Sequence, residues 1–423
     1  MEPRVTVDGI EIHTDSPLVD SVDGDKAPVS AFGRSREASH VTSSRASGPS
    51  GVFPTWVGIL SEALERPVMD LDLDTFSARD WEEPTDEAPV RFAMVGLGWW
   101  TREQAIPAVE DADHCETTVL VSSTTEKAEA VAADLDGAEA ALTYDEYAEG
   151  AATDHYDAVY VCTPNGLHQS NVAPAAEYGK AVLCEKPLEA TVEDARALVD
   201  DCREADVPLM VAYRLQTEPT ARRARELIQG GAIGDVVSML GHMSDTILDF
   251  ADETSWRLDP ELSGGTTLND IGIYPLNTLR FVLGEDPTAV YARAESVQPE
   301  YEGVDEHGAF QLEFPGGKLA SCTVSHSAAV TSTLQFVGTD GQLSIDGLFF
   351  PNTRKTLRIS GPGIEGEYRP EPVDQMREEF DYFANRLQRG LDPEPDGEHG
   401  LFDMRAIDAL YESAETGQRV EIE

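Results

Sequence analysis

The chain has 423 residues, 79 acidic and 31 basic, for a formal net charge of −48. That charge excludes a nucleic-acid partner, which needs a basic face, and a polybasic membrane anchor. A hydrophobic fraction of 41% excludes wholesale disorder.

Length predicts two to three domains. Only six basic residues are Lys and 25 are Arg. An acid-rich, Lys-poor balance is that of proteins in a high-salt cytoplasm, where counterions screen self-repulsion. The five cysteines include no C-x-x-C pair, and Cys162 and Cys184 lie in apolar runs, as buried strand thiols do. With neither a signal-like start nor a long apolar span, a cytoplasmic location is expected.

The first 68 residues carry −4 of the charge and the remaining 355 carry −44. Residues 29–51 are rich in Ser, Gly and Pro without a sustained period, and 55–65 has the spacing of a small amphipathic helix. We expect 1–68 to be a disordered extension or a mis-assigned start, since Met69 opens an ordinary-looking N-terminus. Residues 69–87 read as an arm.

From Val90 the pattern sharpens. VRFAMVGLG is a buried strand ending in glycines. A helix over 102–109 follows, with Pro107 a blemish inside it. TTVLVSS, DAVYVCTP and later runs alternate with helical stretches, which predicts a parallel sheet with helices on both faces over 88–210. After Tyr213 the strand-like runs come in succession, with turn signals at Pro315-Gly316-Gly317 and Thr339-Asp340-Gly341. They predict an α+β domain with a large, mainly antiparallel open sheet over 211–370. C-terminal helices over 371–423 pack back on the core. One of them, 374–388, places Met376, Phe380, Phe383 and Leu387 on one face.

Gly96 and Gly98 follow a strand and open a helix, as in a dinucleotide turn: one glycine for the turn, one for approach to a pyrophosphate. Trp99 and Trp100 share that loop, and Thr101 stands where a third glycine is usual. The second strand ends in Ser122 and Ser123, with Lys127 close behind and no carboxylate. Small hydroxyls and a Lys suit a ribose 2′-phosphate, so NADP is expected over NAD, although Lys127 also reads as a solvated helix residue.

Glu185-Lys186-Pro187 at a strand end, with GLG at 96–98, TPNGLH at 163–168, AYR at 212–214, WR at 256–257 and GGTTLNDIGIYPLN at 264–277, resembles the glucose–fructose oxidoreductase and inositol dehydrogenase family over roughly 88–420. The run VRFAMVGLGWWTREQAIPAV is most similar to its haloarchaeal NADP-dependent branch acting on D-xylose. The resemblance implies hydride transfer from C1 of an aldose, with a lactone as product. It implies Lys186, Asp270 and Tyr274 as catalytic residues. Tyr274 stands where the family often has His. Tyr has an ordinary pKa of about 10, so it serves as a base only beside a cation, and Lys186 is the obvious one. Asp270 and Tyr274, four apart, share a face if helical. Asp270 also reads as a structural carboxylate, and Tyr274 as a core aromatic.

By the same resemblance Thr163, Pro164, Asn165, His168, Glu185 and Arg214 lie near the cofactor, and Tyr213 and Arg257 near the substrate. His168 reads equally as a structural histidine, and Tyr213-Arg214 as a domain junction. His242 and His326 show no metal spacing, so no metal is expected. A homo-oligomer, dimer or tetramer, is expected from the open sheet. The alternatives are another sugar, polyol or dihydrodiol oxidoreductase of the family, or a non-catalytic nucleotide sensor.

Overall fold

The structure, a computed structural model, describes Trp81 and residues 85–250, 254–351 and 353–423, with two short strands nearer the N-terminus. The chain forms two units, Met1–Leu64 and Glu65–Glu423. In the first, β1 (Thr6–Val7) pairs antiparallel with β2 (Ile10–Glu11). The expectations for the rest of 1–68, the 55–65 helix included, and for most of 69–87 lie outside the described residues.

In the second unit the apolar runs become strands for a simple reason. Both faces of each are covered, so β-branched residues follow one another without alternation. They are β3 (Val90–Val95), β4 (Cys115–Ser122), β5 (Ala140–Thr143), β6 (Ala158–Val161), β7 (Ala181–Glu185) and β8 (Leu209–Ala212). Helices α1 (Ile106–Glu110), α2 (Thr125–Ala132), α3 (Tyr144–Ala148), α4 (His168–Glu177) and α5 (Val192–Glu204) connect them. The sheet is parallel, in the order β5-β4-β3-β6-β7-β8. The order reverses between β3 and β6, and this reversal opens a crevice at the carboxyl ends of the strands.

The chain continues through α6 (Pro219–Gln229), β9 (Val236–Thr246), α7 (Pro260–Ser263) and α8 (Ile273–Leu283). It then forms β10 (Ala289–Glu295), β11 (His307–Phe314), β12 (Lys318–Ser325), β13 (Ser327–Gly338), β14 (Gln342–Asp346), β15 (Thr356–Gly361) and β16 (Ile364–Tyr368). Last come α9 (Gln375–Arg389), α10 (Gly397–Thr416) and β17 (Val420–Glu421). The second sheet runs β16-β15-β14-β13-β9-β12-β11-β10-β17, antiparallel except where β9 meets β12. Gly316 and Gly317, at φ of 75° and 82°, turn the chain between β11 and β12, a conformation open to glycine at no steric cost.

Two C-terminal helices hold this frame. Helix α9 is capped by Asp374, whose carboxylate accepts from Met376 N at 2.9 Å and Arg377 N at 3.1 Å. Its apolar face packs on the parallel sheet, with Phe380 edge-on to Phe92 at 5.2 Å and to Tyr160 at 5.1 Å. Helix α10 touches both sheets. A Cβ at Gly400 would lie 2.7 Å from Val211 of β8, and Ser413 Oγ accepts from Ala292 N of β10 at 2.9 Å. Beneath α8, Arg280 donates to Asp403 of α10 at 2.5 Å, both side chains almost wholly buried. Among the described residues no helix is long and apolar enough to cross a membrane.

Phe380 is fully buried, so Phe380→Ala leaves a cavity under the parallel sheet. It should lower unfolding stability by about 3–5 kcal/mol, measured by denaturant titration.

Candidate active site

The glycine turn is built as its residue types require. Gly96 has φ +97°, and a Cβ there would sit 2.3 Å from Cys162 O. Where a Cβ would stand on Gly98, no atom lies within 4 Å. Thr101, in place of a third glycine, is buried and donates from Oγ1 to Gly96 O at 2.6 Å. It therefore ties the turn to the helix that follows. That helix differs from expectation. Residues Thr101–Ala105 make one π-helical turn, with Ile106 N donating to Thr101 O, and α1 begins only at Ile106. A proline ring inside a helix clashes with the carbonyl four residues back. For Pro107 that carbonyl belongs to Glu103, inside the widened turn.

The rest of the crevice is polar. Ser122 is buried at the end of β4, Ser123 is exposed, and Lys127 is exposed on the first turn of α2, its N–H reaching the capping Thr124 Oγ1 at 3.3 Å. Trp99 is exposed at the rim. Trp100 Nε1 and Thr163 Oγ1 are buried with no hydrogen-bond partner in the protein. Open space at Gly98 and these orphaned polar atoms fit a dinucleotide, whose pyrophosphate, ribose and amide groups would satisfy them.

Two residues expected at the cofactor have protein partners. His168 is completely buried, with Nδ1 at 3.2 Å from Leu188 O and Nε2 at 3.0 Å from Thr163 O. It offers no ring atom to a ligand and instead pins the loop after β6. Burial pushes its pKa down to about 4. Asn165, beside Pro164, is buried and donates to Ser263 O of α7 at 2.9 Å. It joins the loop to the second sheet's domain.

Lys186, Asp270 and Tyr274 come together at the mouth of this crevice. Lys186 Nζ is 3.0 Å from Asp270 Oδ1 and 3.0 Å from Asp270 O. It also stands 4.7 Å from the Tyr274 ring centre. Burial disfavours both charges, but the pair overcomes it. Asp270, Tyr274 and Glu185 hold Lys186 above the ordinary lysine range. Lys186, Arg257 and His326 hold Asp270 well below the carboxylate range. The expected helix over these residues again begins with a π turn, Thr267–Ile271, in which Gly272 N reaches Thr267 O at 2.8 Å. Asp270 lies in that turn and Tyr274 in α8, with Pro275 next along.

Arg214 stands beside this cluster. It is buried and donates to Tyr274 Oη at 3.1 Å, to Phe349 O at 2.8 Å and to Gln375 Oε1. Its polar atoms thus reach the base candidate, and its guanidinium lies 5.8 Å from the Trp100 ring. Arg257 Nε is 3.4 Å from Asp270 Oδ2, and its guanidinium stacks 4.4 Å over Trp256. Glu185 accepts from Tyr160 Oη at 2.7 Å, and burial pushes its pKa up. Tyr213 is buried against His399, at 5.8 Å between rings. It also lines a small cavity together with Lys186, Arg214, Tyr274, Asn277 and Thr278.

Sequence spacing missed Gln375 and Glu379 on α9, and Asp245 and His326. Both Glu379 oxygens are buried without a hydrogen-bond partner, and burial and Glu185 push its pKa far up. Helix α9 is rich in charged residues, so Glu379 does not stand out in the linear sequence. His326 has no partner at metal spacing in the sequence. Its Nδ1 lies 2.5 Å from Asp245 Oδ1, 81 residues away on β9. Among the described residues no three His, Cys, Asp or Glu gather as a metal site.

A parallel sheet with a glycine turn at its switch point and a lysine at a strand end, faced by a carboxylate and a tyrosine from the second sheet's domain, define a dinucleotide-dependent oxidoreductase. Residues 90–213 match the model of an oxidoreductase family with an NAD-binding Rossmann fold, and 221–344 match the GFO/IDH/MocA C-terminal domain. The chain belongs to the GFO/IDH/MocA oxidoreductase family. It is 52% identical over 351 residues to a D-xylose 1-dehydrogenase [NADP(+)] of Haloarcula marismortui, covering 82% of this chain and 98% of that one. It is similar to the crystal structure of an aldose-aldose oxidoreductase from Caulobacter crescentus complexed with glycerol, at 31% identity and TM-score 0.74, covering 79% and 99% of the two chains. A 3-ketoreductase of Actinomadura kijaniata, solved with NADP and TDP-benzene, matches at 26% identity and TM-score 0.69, covering 77% and 98%.

His168 yields a pH test. Its folded pKa lies below the ordinary histidine value near 6.5. Between those values the unfolded chain binds the extra proton, so stability is full above about pH 6.5 and falls as pH drops toward 4. Denaturant titrations at several pH values should show that slope, and His168→Gln should flatten it.

Proposed function

We propose that this chain is an NADP-dependent sugar dehydrogenase that oxidises an aldose, D-xylose first among them, at C1 to the lactone. The observation that carries this reading is the Lys186–Asp270–Tyr274 cluster at the mouth of the dinucleotide crevice, with Arg214 on the Tyr274 hydroxyl. The likeness to a D-xylose enzyme supports the substrate.

When bound, the dinucleotide supplies the hydride acceptor. The chain's own residues handle the hydroxyl. Lys186 holds the C1 oxygen and stabilises negative charge on it. Tyr274 takes the hydroxyl proton, and Arg214 and Lys186 provide the cations that its phenolate needs. Asp270 fixes the Lys186 ammonium and presents its carboxylate to the pocket, and Arg257 orients Asp270. Ser122, Ser123 and Lys127 form the surroundings of a ribose 2′-phosphate, with no carboxylate at the end of β4 to repel it. Glu185 sets Lys186 from behind, through the strand end and the Tyr160 hydrogen bond.

The outer face of the second sheet supports an oligomer. Leu240, Leu319, Ser321, Thr323, Thr333 and Gln335 occupy its central strands, and none is charged in a chain of −48. An exposed surface in the expected high-salt cytoplasm would carry acid there, so a second copy is the natural cover.

Absorbance at 340 nm with an aldose panel and NADP tests the activity. Silence with every sugar would favour a nucleotide sensor. Tyr274→Phe should lower kcat by roughly 10²–10⁴, and Lys186→Ala should lower it at least as far. Lys127→Ala should raise the KM for NADP roughly tenfold, the worth of one charge-assisted contact, and leave that for NAD unchanged. Light scattering after gel filtration should give a dimer or tetramer mass.

A further inference from the structure

Behind Asp270 an imidazole and a second carboxylate extend a buried row. His326 occupies the single position between β12 and β13 and is 1% exposed. Its Nδ1 lies 2.5 Å from Asp245 Oδ1, and its Nε2 lies 3.7 Å from Asp270 Oδ2 with no hydrogen-bond partner of its own. The backbone fixes the ring in place. His326 N donates to Glu306 O at 3.0 Å, and His326 O accepts from Ile247 N at 3.1 Å and Tyr301 Oη at 2.9 Å.

We propose that His326, held by Asp245, is a positioning residue for Asp270: it draws Oδ2 toward itself and Arg257 and leaves Oδ1 for Lys186. This rests on the reading of Lys186, Asp270 and Tyr274 as the catalytic centre. The geometry selects one charge state. A neutral ring with its proton on Nδ1 would aim a lone pair from Nε2 at the Asp270 carboxylate. Carboxylates at both ends of an imidazole are matched only by a ring carrying both protons. The charged groups around it are Asp245 from β9, Arg257 from the turn before α7, Asp270 from the turn before α8, and Lys186 just after β7. Glu306, next to the His326 backbone, has its carboxylate occupied by Val297 N, Gln298 N and the Gln298 amide. Three cations then face two carboxylates. The row leaves positive charge where the substrate hydroxyl must lose its proton, and burial keeps salt from screening it.

The test compares pH profiles of kcat/KM for the full chain with its best aldose. His326→Gln keeps the bulk and should lower kcat about tenfold through a loosened Asp270. Losing the cation favours protonation of every neighbour, so the acid limb should move up by about one pH unit. Asp245→Asn should move it the same way, and the double variant should be no worse than His326→Gln alone. Nitrogen-15 spectra of the unsubstituted protein with labelled histidine should show both His326 nitrogens protonated on the plateau of its pH profile. An acid limb superimposable on that of the parent chain, or a neutral-ring nitrogen pattern, overturns the proposal. If His326→Gln does not fold, Asp245→Asn and the spectra decide. Full activity in Asp270→Asn would instead overturn the reading of the centre itself. An inactive Asp270→Asn beside an unchanged His326→Gln profile overturns this proposal alone.

Discussion

The contact between Lys186 Nζ and Asp270 Oδ1 is the constraint around which the rest of the molecule is arranged. One partner stands at the end of a strand in the parallel sheet. The other stands in the turn before α8, 84 residues away. Both are largely out of water, and burying two charges costs several kcal/mol each unless the geometry compensates. Here the compensation is dense. Lys186 has a carboxylate, a backbone carbonyl and an aromatic face, and Asp270 has an ammonium, a guanidinium and an imidazole. A pair so placed fixes the separation of the two domains at the point where a substrate would sit.

The scaffold serves that separation. Asn165 and Asn269 both donate to Ser263 O, at 2.9 and 2.6 Å, so the loop after β6 and the π turn carrying Asp270 meet at one carbonyl. Asp305 accepts from Thr266 N, Leu268 N and Tyr411 Oη, which anchors that turn to α10 as well. Helix α10 in turn lies on β8, two residues before Arg214. The polar groups under α8, Asn277 and Arg280, are both satisfied by Asp403. Stiffness around the reacting atoms thus comes from ordinary side chains that bridge neighbouring elements.

Much of this was legible in the chain. Continuous apolar runs ending in glycines show buried parallel strands because both sheet faces are covered, and turn residues between alternating runs show the second sheet. Lys186, Asp270 and Tyr274 stood out through the family resemblance of the motifs that hold them, and Lys186 also because a Lys-poor chain places it at a strand end. What stayed hidden depends on contacts that linear order does not encode. Asp245 and His326 meet only because β9 and β13 are neighbours. His168 and Arg214 follow motif-like runs, yet burial turns the one toward two carbonyls and the other toward Tyr274. The π turns were invisible because their residues have unremarkable helical propensities, and only the prolines behind them hinted at irregularity.

Those two turns share a design. Each inserts one residue beyond what an α-helix would need, and each comes a few residues ahead of a proline, Pro107 and Pro275. An α-helix advances about 100° per residue, so the surplus residue sets the azimuth of everything downstream. Removing one residue from 267–271 would let the helix close normally and swing the face of Tyr274 about a quarter-turn away from Lys186. The spacing of chemistry in this chain is therefore a matter of phase as much as of composition. Within 267–271 a conservative substitution is milder than a deletion, which shifts the phase of the whole helix that follows.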